Sequence, residues 1–315
     1  MVSPSDLVGK RVLVTGASGF TGRYMLKELQ QQGCHVIALG AAGAATAAQE
    51  HVFADLTDRE AVFTAVEAAR VDFVVHLAAL AFVGHGRIED FYAVNLLGTR
   101  NLLNALERAS HAPACVLLAS SANIYGNSSE GMLDEGTVPA PANDYAVSKL
   151  AMEHVAGLWR DRLPIVITRP FNYTGVGQAA QFLVPKIVSH FARRADVMEL
   201  GNLDVSRDFG DVRAVVSAYR QLLQQPQAVG QVVNVCTGVG RTLTEIVRIC
   251  AELTGHELEV RVNPDFVRPN EVKILLGDNG RLKSLIQEWN PPDMRQTLAW
   301  MLEAETAKVA PVASD

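Results

Sequence analysis

A tyrosine and a lysine, Tyr145 and Lys149, lie four residues apart in the segment DYAVSKL. In a helix this spacing places both side chains on one face. A free phenol has a pKa of about 10 and is a weak acid at neutral pH, whereas a neighbouring ammonium lowers that pKa. We therefore expect Tyr145 to pass a proton to or from an alcohol oxygen, with Lys149 lowering its pKa.

A serine, Ser121, precedes Tyr145 by 24 positions and follows the apolar run 115–119. At the end of a sheet strand, its hydroxyl can hold the same oxygen that the tyrosine protonates. Tyrosine and lysine at this spacing occur by chance in many helices. Their assignment as functional residues therefore depends on Ser121 and on the glycine loop near the N-terminus. Together these features predict Ser121, Tyr145 and Lys149 as catalytic residues.

The glycine loop VTGASGFTGRY places Gly16, Gly19 and Gly22 after a predicted strand and at the start of a predicted helix. Glycines there allow a tight turn and let backbone N–H groups approach a pyrophosphate at the helix N-terminus. The alternative is a glycine-rich turn without a ligand. The strand, the helix and the position near the N-terminus together favour a dinucleotide site.

The choice of dinucleotide depends on the end of the second strand, where NAD-selective sites usually carry an acid about 20 residues after the loop. Gly40 stands there, and the segment 41–49 contains neither an acid to repel a 2′-phosphate nor an arginine to bind one. This favours NADP(H) over NAD(H). Asp55 follows the third strand, where it can bond the adenine amino group or, alternatively, cap the helix predicted at 58–70.

Apolar β-branched runs alternate with segments of helical periodicity in the first half, as in a parallel sheet covered on both faces. The strands are predicted at 11–15, 35–39, 51–54, 72–77, 114–120 and 164–169. The helices between them are predicted at 21–33, 58–70, 88–109 and 143–162. The fold class is α/β, with a doubly wound parallel Rossmann sheet.

The second half alternates less clearly and is expected to form a smaller, mainly C-terminal substrate-binding lobe. It is also expected to return one strand, 231–236, and one helix, 212–224, to the sheet. Further helices are predicted at 182–195, 243–254, 279–288 and 294–305. The Rossmann domain would comprise 1–170 and about 205–240, the lobe about 171–204 and 241–305, and 306–315 would be a frayed tail.

The composition of the 315 residues is that of a globular protein, with 49% apolar and 20% charged residues. A net charge of −6 without a basic cluster argues against nucleic acid or a membrane surface as partner. The four cysteines are scattered without metal-ligand spacing, which indicates buried thiols in a reducing cytoplasm and no metal site. No apolar run is long enough to span a membrane, and no signal-peptide core precedes residue 11.

The motifs in order resemble an extended short-chain dehydrogenase/reductase acting on nucleotide sugars, over roughly residues 8 to 305. The matching segments are GASGFTG, HLAA (76–79), NLLGTRNLL (95–103), SSANIYG, YAVSK and RPFN (169–172). The resemblance implies the catalytic set Ser121, Tyr145 and Lys149. It also implies a cofactor site made of Gly16, Ser18, Gly19, Phe20, Gly22, Asp55, Leu56, Leu77, Ala78, Ala79, Asn95 and Pro170, together with Tyr145 and Lys149.

The second half is similar to the branch that handles GDP-mannose derivatives, through RPFNYTGVGQ, LVPKI, GNLDVSRDFGDV and RPNEVKILLGD. By that resemblance the nucleotide diphosphate and its ribose would be held by Asn172, Lys186, Arg207, Arg268 and Glu271. Two arginines and a lysine on one diphosphate make charge-assisted contacts. Taken singly, each arginine could instead form a surface ion pair.

The residues beside Ser121 separate the reactions of this branch. A 4,6-dehydratase of the family carries a glutamate at the position of Asn123, and the related epimerase-reductases carry a cysteine there and a histidine near Gly177. Asn123 and Ala122 supply no acid, base or thiol. Asn123 could bond a substrate hydroxyl or simply close the turn.

The remaining groups suffice for hydride delivery to a carbonyl and protonation of the new alkoxide. Together with the resemblance they imply a reductase that uses NAD(P)H to reduce the C4 ketone of GDP-6-deoxy-4-keto-D-mannose. The product would be GDP-D-rhamnose or its C4 epimer GDP-6-deoxy-D-talose. A 4-epimerase with tightly held NAD⁺, a dehydratase with unusual acid–base residues, and a cofactor-bound sensor or scaffold stay as alternatives.

A homodimer through helices 88–109 and 143–162 is the assembly that the resemblance implies. These helices carry apolar residues beyond one core stripe, namely Leu96, Leu97, Leu102, Leu103, Met152, Val155, Leu158 and Trp159. The alternative is that these side chains pack on the sheet.

Overall fold

The computed structural model describes residues 7–41, 43, 46–81, 87–126, 131–203, 205–266 and 273–309. Its strands are β1 (Arg11–Thr15), β2 (His35–Gly40), β3 (Glu50–Phe53), β4 (Phe73–His76), β5 (Cys115–Ala119), β6 (Gly131–Leu133), β7 (Ile165–Pro170), β8 (Asn172–Thr174), β9 (Val197–Leu200), β10 (Ser206–Asp211), β11 (Val232–Val235), β12 (Gly240–Thr242), β13 (Glu259–Val262) and β14 (Ile274–Gly277). Its helices are α1 (Phe20–Gln31), α2 (Arg59–Ala69), α3 (Ile88–Phe91), α4 (Thr99–Arg108), α5 (Asp144–Gly157), α6 (Leu183–Ala192), α7 (Val212–Leu223), α8 (Leu243–Thr254), α9 (Gly280–Leu285) and α10 (Met294–Val309).

A parallel sheet forms the centre, and its seven strands in the described ranges follow the order β11-β7-β5-β4-β1-β2-β3. From β1 the chain winds outwards through β2 and β3, then returns to β4 and winds the other way. The predicted doubly wound α/β fold is therefore confirmed. Ligands bind such sheets at the carboxyl ends of the strands, beside the point where the order reverses.

Helices cover both faces of this sheet because its strands are apolar on both sides. α1 and α7 pack on one face, with Met25, Leu26 and Tyr219 in the core. α2, α4 and α5 pack on the other face, with Leu102, Met152 and other apolar side chains. α1 buries Gly22, Met25, Leu26 and Leu29, the spacing of one helical face.

The second half returns β11 and α7 to the central sheet, as expected from the sequence. It also contains short strands that the sequence did not predict. β12, β10 and β14 form a second sheet in that order, which β6 from the first half completes beside β14; β8 pairs with β10, and β13 pairs with β9. α6, α8 and α10 surround a separate apolar core that includes Phe191, Ile246 and Leu298.

Some predicted helix boundaries were wrong. The helix predicted at 88–109 is divided into α3, a π-helix at Tyr92–Gly98 and α4. The helix predicted at 143–162 ends at Gly157, and the last helix continues to Val309. Residues 306–309 are thus helical rather than frayed, while 310–315 lie outside the described residues.

The apolar residues cited for a dimer mostly pack against the sheet. Leu102, Leu103, Met152 and Trp159 are buried, whereas Leu97 is 51% and Leu158 is 64% exposed. No helix in the described part of the chain is long and apolar enough to cross a membrane. The division into a Rossmann domain and a substrate lobe stays a prediction.

Asp211 joins the last helix to the central fold. Its carboxylate, fully buried, caps α7 by accepting a hydrogen bond from the backbone N–H of Arg213 at 2.8 Å. The same carboxylate accepts the hydroxyl of Thr297 on α10 at 2.8 Å and pairs with the Arg213 guanidinium at 2.6 Å. One side chain therefore holds α7 and α10 together.

Replacing Asp211 tests this role. Asp211→Ala should lower the free energy of unfolding by roughly 3 kcal/mol, because it removes a helix cap together with the buried acceptor shared by the Thr297 hydroxyl and the Arg213 guanidinium. Asp58→Ala is the matched control, since Asp58 caps α2 through two backbone N–H groups but is exposed. The control should lose only about 1 kcal/mol. Equal losses in urea denaturation would contradict the joining role of Asp211.

Candidate active site

A cleft of about 1340 Å³ opens at the carboxyl ends of the central strands. It runs from the glycine loop before α1, past the ends of β4, β5 and β7, to α6 and the loop after β9. The lining residues therefore come from both halves of the chain. The predicted catalytic set Ser121, Tyr145 and Lys149 lines it together.

Ser121 is held where β5 ends. Its extended backbone begins a turn of 3-10 helix at Ala122–Tyr125, and its hydroxyl oxygen accepts the backbone N–H of Asn123 at 3.2 Å. The same hydroxyl is hydrogen bonded to the phenol of Tyr145. Asn143 caps α5 by accepting the backbone N–H of Ala146 at 2.9 Å, which fixes the first turn that carries Tyr145.

Lys149 lies one turn further along α5, buried against the sheet. Its ammonium donates to the backbone carbonyl of Ala119, the last residue of β5, at 2.7 Å. Burial lowers the pKa of Lys149 to about 8, and the charge of Glu153 opposes that decrease. The ammonium keeps further N–H donors for a ligand hydroxyl.

The pKa of Tyr145 departs from the prediction made above. Burial raises it to about 12, the hydrogen bond with Ser121 lowers it, and Tyr173 raises it. The expectation that Lys149 lowers the pKa of this phenol is wrong for the described arrangement, because burial outweighs the other influences. Tyr145 consequently keeps its proton at neutral pH and can serve as a proton donor.

The glycine loop forms a cradle with no room for side chains. Gly16 has a φ of +68°, and a Cβ there would lie 2.7 Å from the backbone nitrogen of Ala78. A Cβ on Gly22 would lie 2.1 Å from the carbonyl oxygen of Gly16. No side chain caps the N-terminus of α1 at Gly19. Uncapped N–H groups in a cradle of this kind fit a pyrophosphate.

A chain of hydrogen bonds under the loop fixes it to the sheet. The N–H of Ala78 donates to the Thr15 hydroxyl at 3.1 Å, which bonds Nδ1 of His76 at 2.7 Å. Nε2 of His76 bonds Thr99, whose hydroxyl donates to the carbonyl of Asn95. Burial and the charge of Lys149 lower the pKa of His76 to about 3, so the ring is neutral and Nε2 carries its proton.

Most of the predicted cofactor residues line the cleft. They are Gly16, Gly19, Phe20, Gly22, Leu77, Ala79, Tyr145, Lys149 and Pro170. Two others lie behind this lining. Ala78 lies against Gly16. The Asn95 side chain accepts the backbone N–H of Leu80 and donates to the Leu80 carbonyl and to the Ser148 hydroxyl. Ser18 and Leu56 are likewise not among the residues that line the cleft.

Asp55 does not cap α2. Its carboxylate accepts the backbone N–H and the hydroxyl of Thr57, both at 2.8 Å, and Asp58 caps the helix instead. The capping alternative for Asp55 is therefore wrong. The exposed carboxylate of Asp55 does not line the cleft, and its contact with adenine stays a prediction.

The described substrate residues belong to the lining of the cleft as well. Asn123, Asn172, Lys186 and Arg207 all line it. Lys186 donates to the carbonyl of Glu199 at 2.8 Å and lies 4.6 Å from the ring centre of Phe266. Arg268 and Glu271 lie outside the described residues.

The sequence did not single out several cleft residues. Tyr173, which directly follows the RPFN motif, bonds the Thr21 hydroxyl through its own hydroxyl at 2.7 Å. Tyr219 comes from α7 and Phe266 from a turn after β13. The position after RPFN could have indicated Tyr173, but no local pattern distinguishes Tyr219 or Phe266 from core aromatics.

The described lining of the cleft contains basic and phenolic side chains but no acidic ones. In the described ranges its lining includes Tyr145, Tyr173, Tyr219, Lys149, Lys186 and Arg207 but no aspartate, glutamate, histidine or cysteine. Nor do three or more such residues come together elsewhere in the described chain as a metal site would need. The described lining is therefore cationic, and its proton donors near Ser121 are hydroxyls and one ammonium.

Known proteins resemble the chain over nearly its whole length. It matches the family described as GDP-mannose 4,6 dehydratase over residues 13–299. It is 36% identical to the GDP-6-deoxy-D-talose 4-dehydrogenase of Aggregatibacter actinomycetemcomitans, covering 88% of this chain and 91% of that protein. It is 35% identical to the GDP-6-deoxy-D-mannose reductase of Pseudomonas aeruginosa, covering 76% and 81%.

Solved structures agree with these relatives. A Burkholderia cenocepacia J2315 protein, provisionally named an epimerase, is 49% identical with a TM-score of 0.90 and covers 96% of this chain and 99% of its own. The structure of RMD from Pseudomonas aeruginosa with NADPH is 30% identical with a TM-score of 0.79 and covers 95% and 99%. The predicted extended short-chain dehydrogenase/reductase fold is confirmed, and this fold together with the NADPH-containing neighbour supports a nicotinamide cofactor.

The glycine cradle makes a direct prediction about that cofactor. Gly22→Ala should weaken binding of the nicotinamide cofactor roughly tenfold or more, because the added Cβ displaces the loop whose N–H groups fit a pyrophosphate. Gly157→Ala is the control, since a Cβ there meets nothing within 4 Å. Fluorescence titration with NADPH measures both variants, and wild-type affinity in Gly22→Ala would contradict the cradle.

Proposed function

The chain belongs to the GDP-mannose 4,6-dehydratase family of extended short-chain dehydrogenases/reductases, and on this premise we propose that it is a 4-ketoreductase. Its substrate would be GDP-6-deoxy-4-keto-D-mannose, and its product GDP-D-rhamnose or the C4 epimer GDP-6-deoxy-D-talose. Both relatives reported above are named for GDP-6-deoxyhexoses, and the talose dehydrogenase is named for position 4.

One observation carries the proposal: the described lining of the cleft offers Ser121, Tyr145 and Lys149 but no carboxylate or thiol. A 4,6-dehydration needs a base for the C5 proton and an acid for the departing C6 hydroxyl, and a 3,5-epimerisation needs a further acid–base pair. Reduction of a ketone needs only a hydride and one proton. Of these three reactions, the described lining has the groups for ketone reduction alone.

The roles of the residues follow from their positions. The bound nicotinamide supplies the hydride. Tyr145, protonated at neutral pH, donates its proton to the oxygen at C4, and the Ser121 hydroxyl holds that oxygen. Lys149, anchored on Ala119, binds the nicotinamide ribose with its remaining N–H donors. Asn123 is placed to bond a substrate hydroxyl.

The cationic end of the cleft suits the nucleotide diphosphate. Asn172, Lys186 and Arg207 would hold it, with Arg268 and Glu271 as the further contacts that the sequence resemblance implies. The hydrogen bond described for the Lys186 ammonium goes to a neutral backbone carbonyl, so its charge is not cancelled by that partner. A phosphate would gain a charge-assisted contact there.

NADPH is the proposed cofactor. Gly40 ends β2 without a carboxylate, and segment 41–49 carries no acid that would repel a 2′-phosphate. The related Pseudomonas aeruginosa structure contains NADPH. The four cysteines are buried free thiols, which fits a reducing cytoplasm as the location.

A 4-epimerase is the second candidate, favoured by the provisional name of the Burkholderia cenocepacia neighbour. An epimerase uses the same three residues with a cofactor that it holds tightly and regenerates in each cycle. It would purify with NAD⁺ bound and consume none, whereas the reductase consumes one NADPH per product.

Turnover of the keto sugar tests the proposal. The purified protein is incubated with GDP-6-deoxy-4-keto-D-mannose while NADPH and NADH absorbance are followed separately, and NMR identifies the product. We expect stoichiometric NADPH oxidation and a 6-deoxyhexose product. Tyr145→Phe should retain NADPH binding and lose roughly 100-fold or more in kcat, because it removes the proton donor. Conversion of GDP-mannose itself by the wild type would overturn the proposal.

We also propose a homodimer through the face formed by the π-helix and α5. Leu97 on the π-helix and Leu158 directly after α5 remain largely exposed, although Leu102, Leu103, Met152 and Trp159 are buried. Sedimentation of the wild type should give twice the 34.0 kDa chain mass, and Leu97→Glu with Leu158→Glu should give the monomer. Val138→Glu, at a position 78% exposed elsewhere, is the control. A monomeric wild type would rule the dimer out.

A further inference from the structure

A buried guanidinium, that of Arg169 on β7, lies between the two segments that carry the catalytic residues. Its side chain is 7% exposed, as is that of Glu153 on α5. Nε donates to Oε1 of Glu153 at 3.0 Å and Nη2 donates to Oε2 at 2.7 Å. This two-point geometry is the strongest that arginine and a carboxylate make.

The same guanidinium contacts Tyr125 on its other side. Nη1 donates to the Tyr125 hydroxyl at 3.0 Å, and the guanidinium carbon lies 5.2 Å from the ring centre. The hydroxyl in turn donates to Oδ1 of Asn234 at 2.8 Å. Nη1 also reaches the carbonyl of Glu135 at 3.3 Å. Every contact of the group is therefore inside the protein and away from the cleft lining.

These partners are joined in sequence to the catalytic residues. Tyr125 ends the 3-10 turn that Ser121 begins. Glu153 is one helical turn after Lys149 and two turns after Tyr145 on α5. One side chain, Arg169, thus links the segment that places Ser121 to the helix that places Tyr145 and Lys149.

The pair also affects the charge of the catalytic lysine. Burial lowers the pKa of Lys149, and Glu153 is the charged group that opposes this decrease. Of the other ionisable groups around Lys149, His76 from β4 is neutral and Tyr145 keeps its proton. Arg169 from β7 is paired with Glu153 and so moderates the carboxylate's influence.

We propose that Arg169 and Glu153 are positioning residues: the guanidinium fixes the Ser121 segment against the Tyr145–Lys149 helix, and the carboxylate places a negative charge one helical turn from Lys149. This inference rests on the proposed function, because it assumes that Lys149 binds the cofactor. It gives this buried ion pair a role other than stability, to which a buried ion pair by itself contributes little.

The first test is the pH dependence of NADPH affinity, measured by fluorescence from neutral to alkaline pH. Wild-type affinity should fall as pH rises through about 8, the pKa of Lys149, because the ammonium is lost above that value. Glu153→Gln removes the opposing charge, so the midpoint should move to lower pH by roughly one unit. Arg169→Met leaves the carboxylate unneutralised and should move the midpoint upwards.

A matched control and a replacement variant complete this test. Glu28→Gln breaks the partly buried pair with Arg220 between α1 and α7 and should leave the midpoint unchanged. If Glu153→Gln or Arg169→Met fails to fold, the double variant Glu153→Leu/Arg169→Met removes both charges and should still give a midpoint below that of the wild type. A midpoint equal to that of the wild type in Glu153→Gln or in the double variant would overturn the electrostatic role.

The second test isolates the mechanical link. Tyr125→Phe keeps every charge, so its NADPH midpoint should equal that of the wild type, but it removes the hydroxyl between Arg169 and Asn234. We expect kcat for the keto sugar to fall roughly tenfold at nearly constant KM, because Ser121 is held less firmly. Wild-type kcat in Tyr125→Phe excludes the link, whereas a wild type that binds NADPH but reduces no keto sugar excludes the proposed function instead.

Discussion

The hydrogen bond from the Lys149 ammonium to the Ala119 carbonyl is the interaction on which the site depends. It links α5, which carries Tyr145 and Lys149, to the carboxyl end of β5, and Ser121 follows β5 closely in the chain. Because β5 lies in the middle of a parallel sheet covered on both faces, that end is fixed by its neighbours β4 and β7. A flexible ammonium is thereby held at a defined place, as its proposed role in binding the cofactor requires.

Charges in this protein are separated by location. The buried carboxylates of Glu153, Asp208 and Asp211 accept hydrogen bonds from protein donors outside the cleft lining. The lysines of the cleft bond neutral carbonyls, as Lys149 does with Ala119 and Lys186 with Glu199. Since a carbonyl satisfies a donor without cancelling its charge, these two ammonium groups can still make charge-assisted contacts with an anionic ligand.

The sequence predicted the central sheet well because its strands are short apolar runs between amphipathic helices, a pattern that burial on both faces dictates. It did not predict β8, β12 and the other strands of the second sheet. Segments such as NYT and GRT have only three residues and no alternation of apolar side chains. Their pairing depends on partners distant in the chain, which no local pattern reveals.

Within the site, sequence identified side chains but not their electrostatics. Tyr145 and Lys149 were found from spacing, yet the direction of the Tyr145 pKa was wrong, because the extent of burial is a tertiary property. Likewise Asp55 and Asp58 are both plausible caps by position, and only the backbone geometry selects Asp58.

The pair of Arg169 and Glu153 illustrates the same limit more strongly. The two residues stand 16 positions apart, Glu153 on a helix and Arg169 on a strand. Arg169 begins the motif RPFN, which by itself indicated only the family. Burying two opposite charges costs hydration that a single ion pair rarely repays in stability. Here the guanidinium also reaches Tyr125, and the carboxylate also acts on Lys149. A pair with those two further connections has a structural reason to be charged, which an apolar replacement of equal volume would not supply.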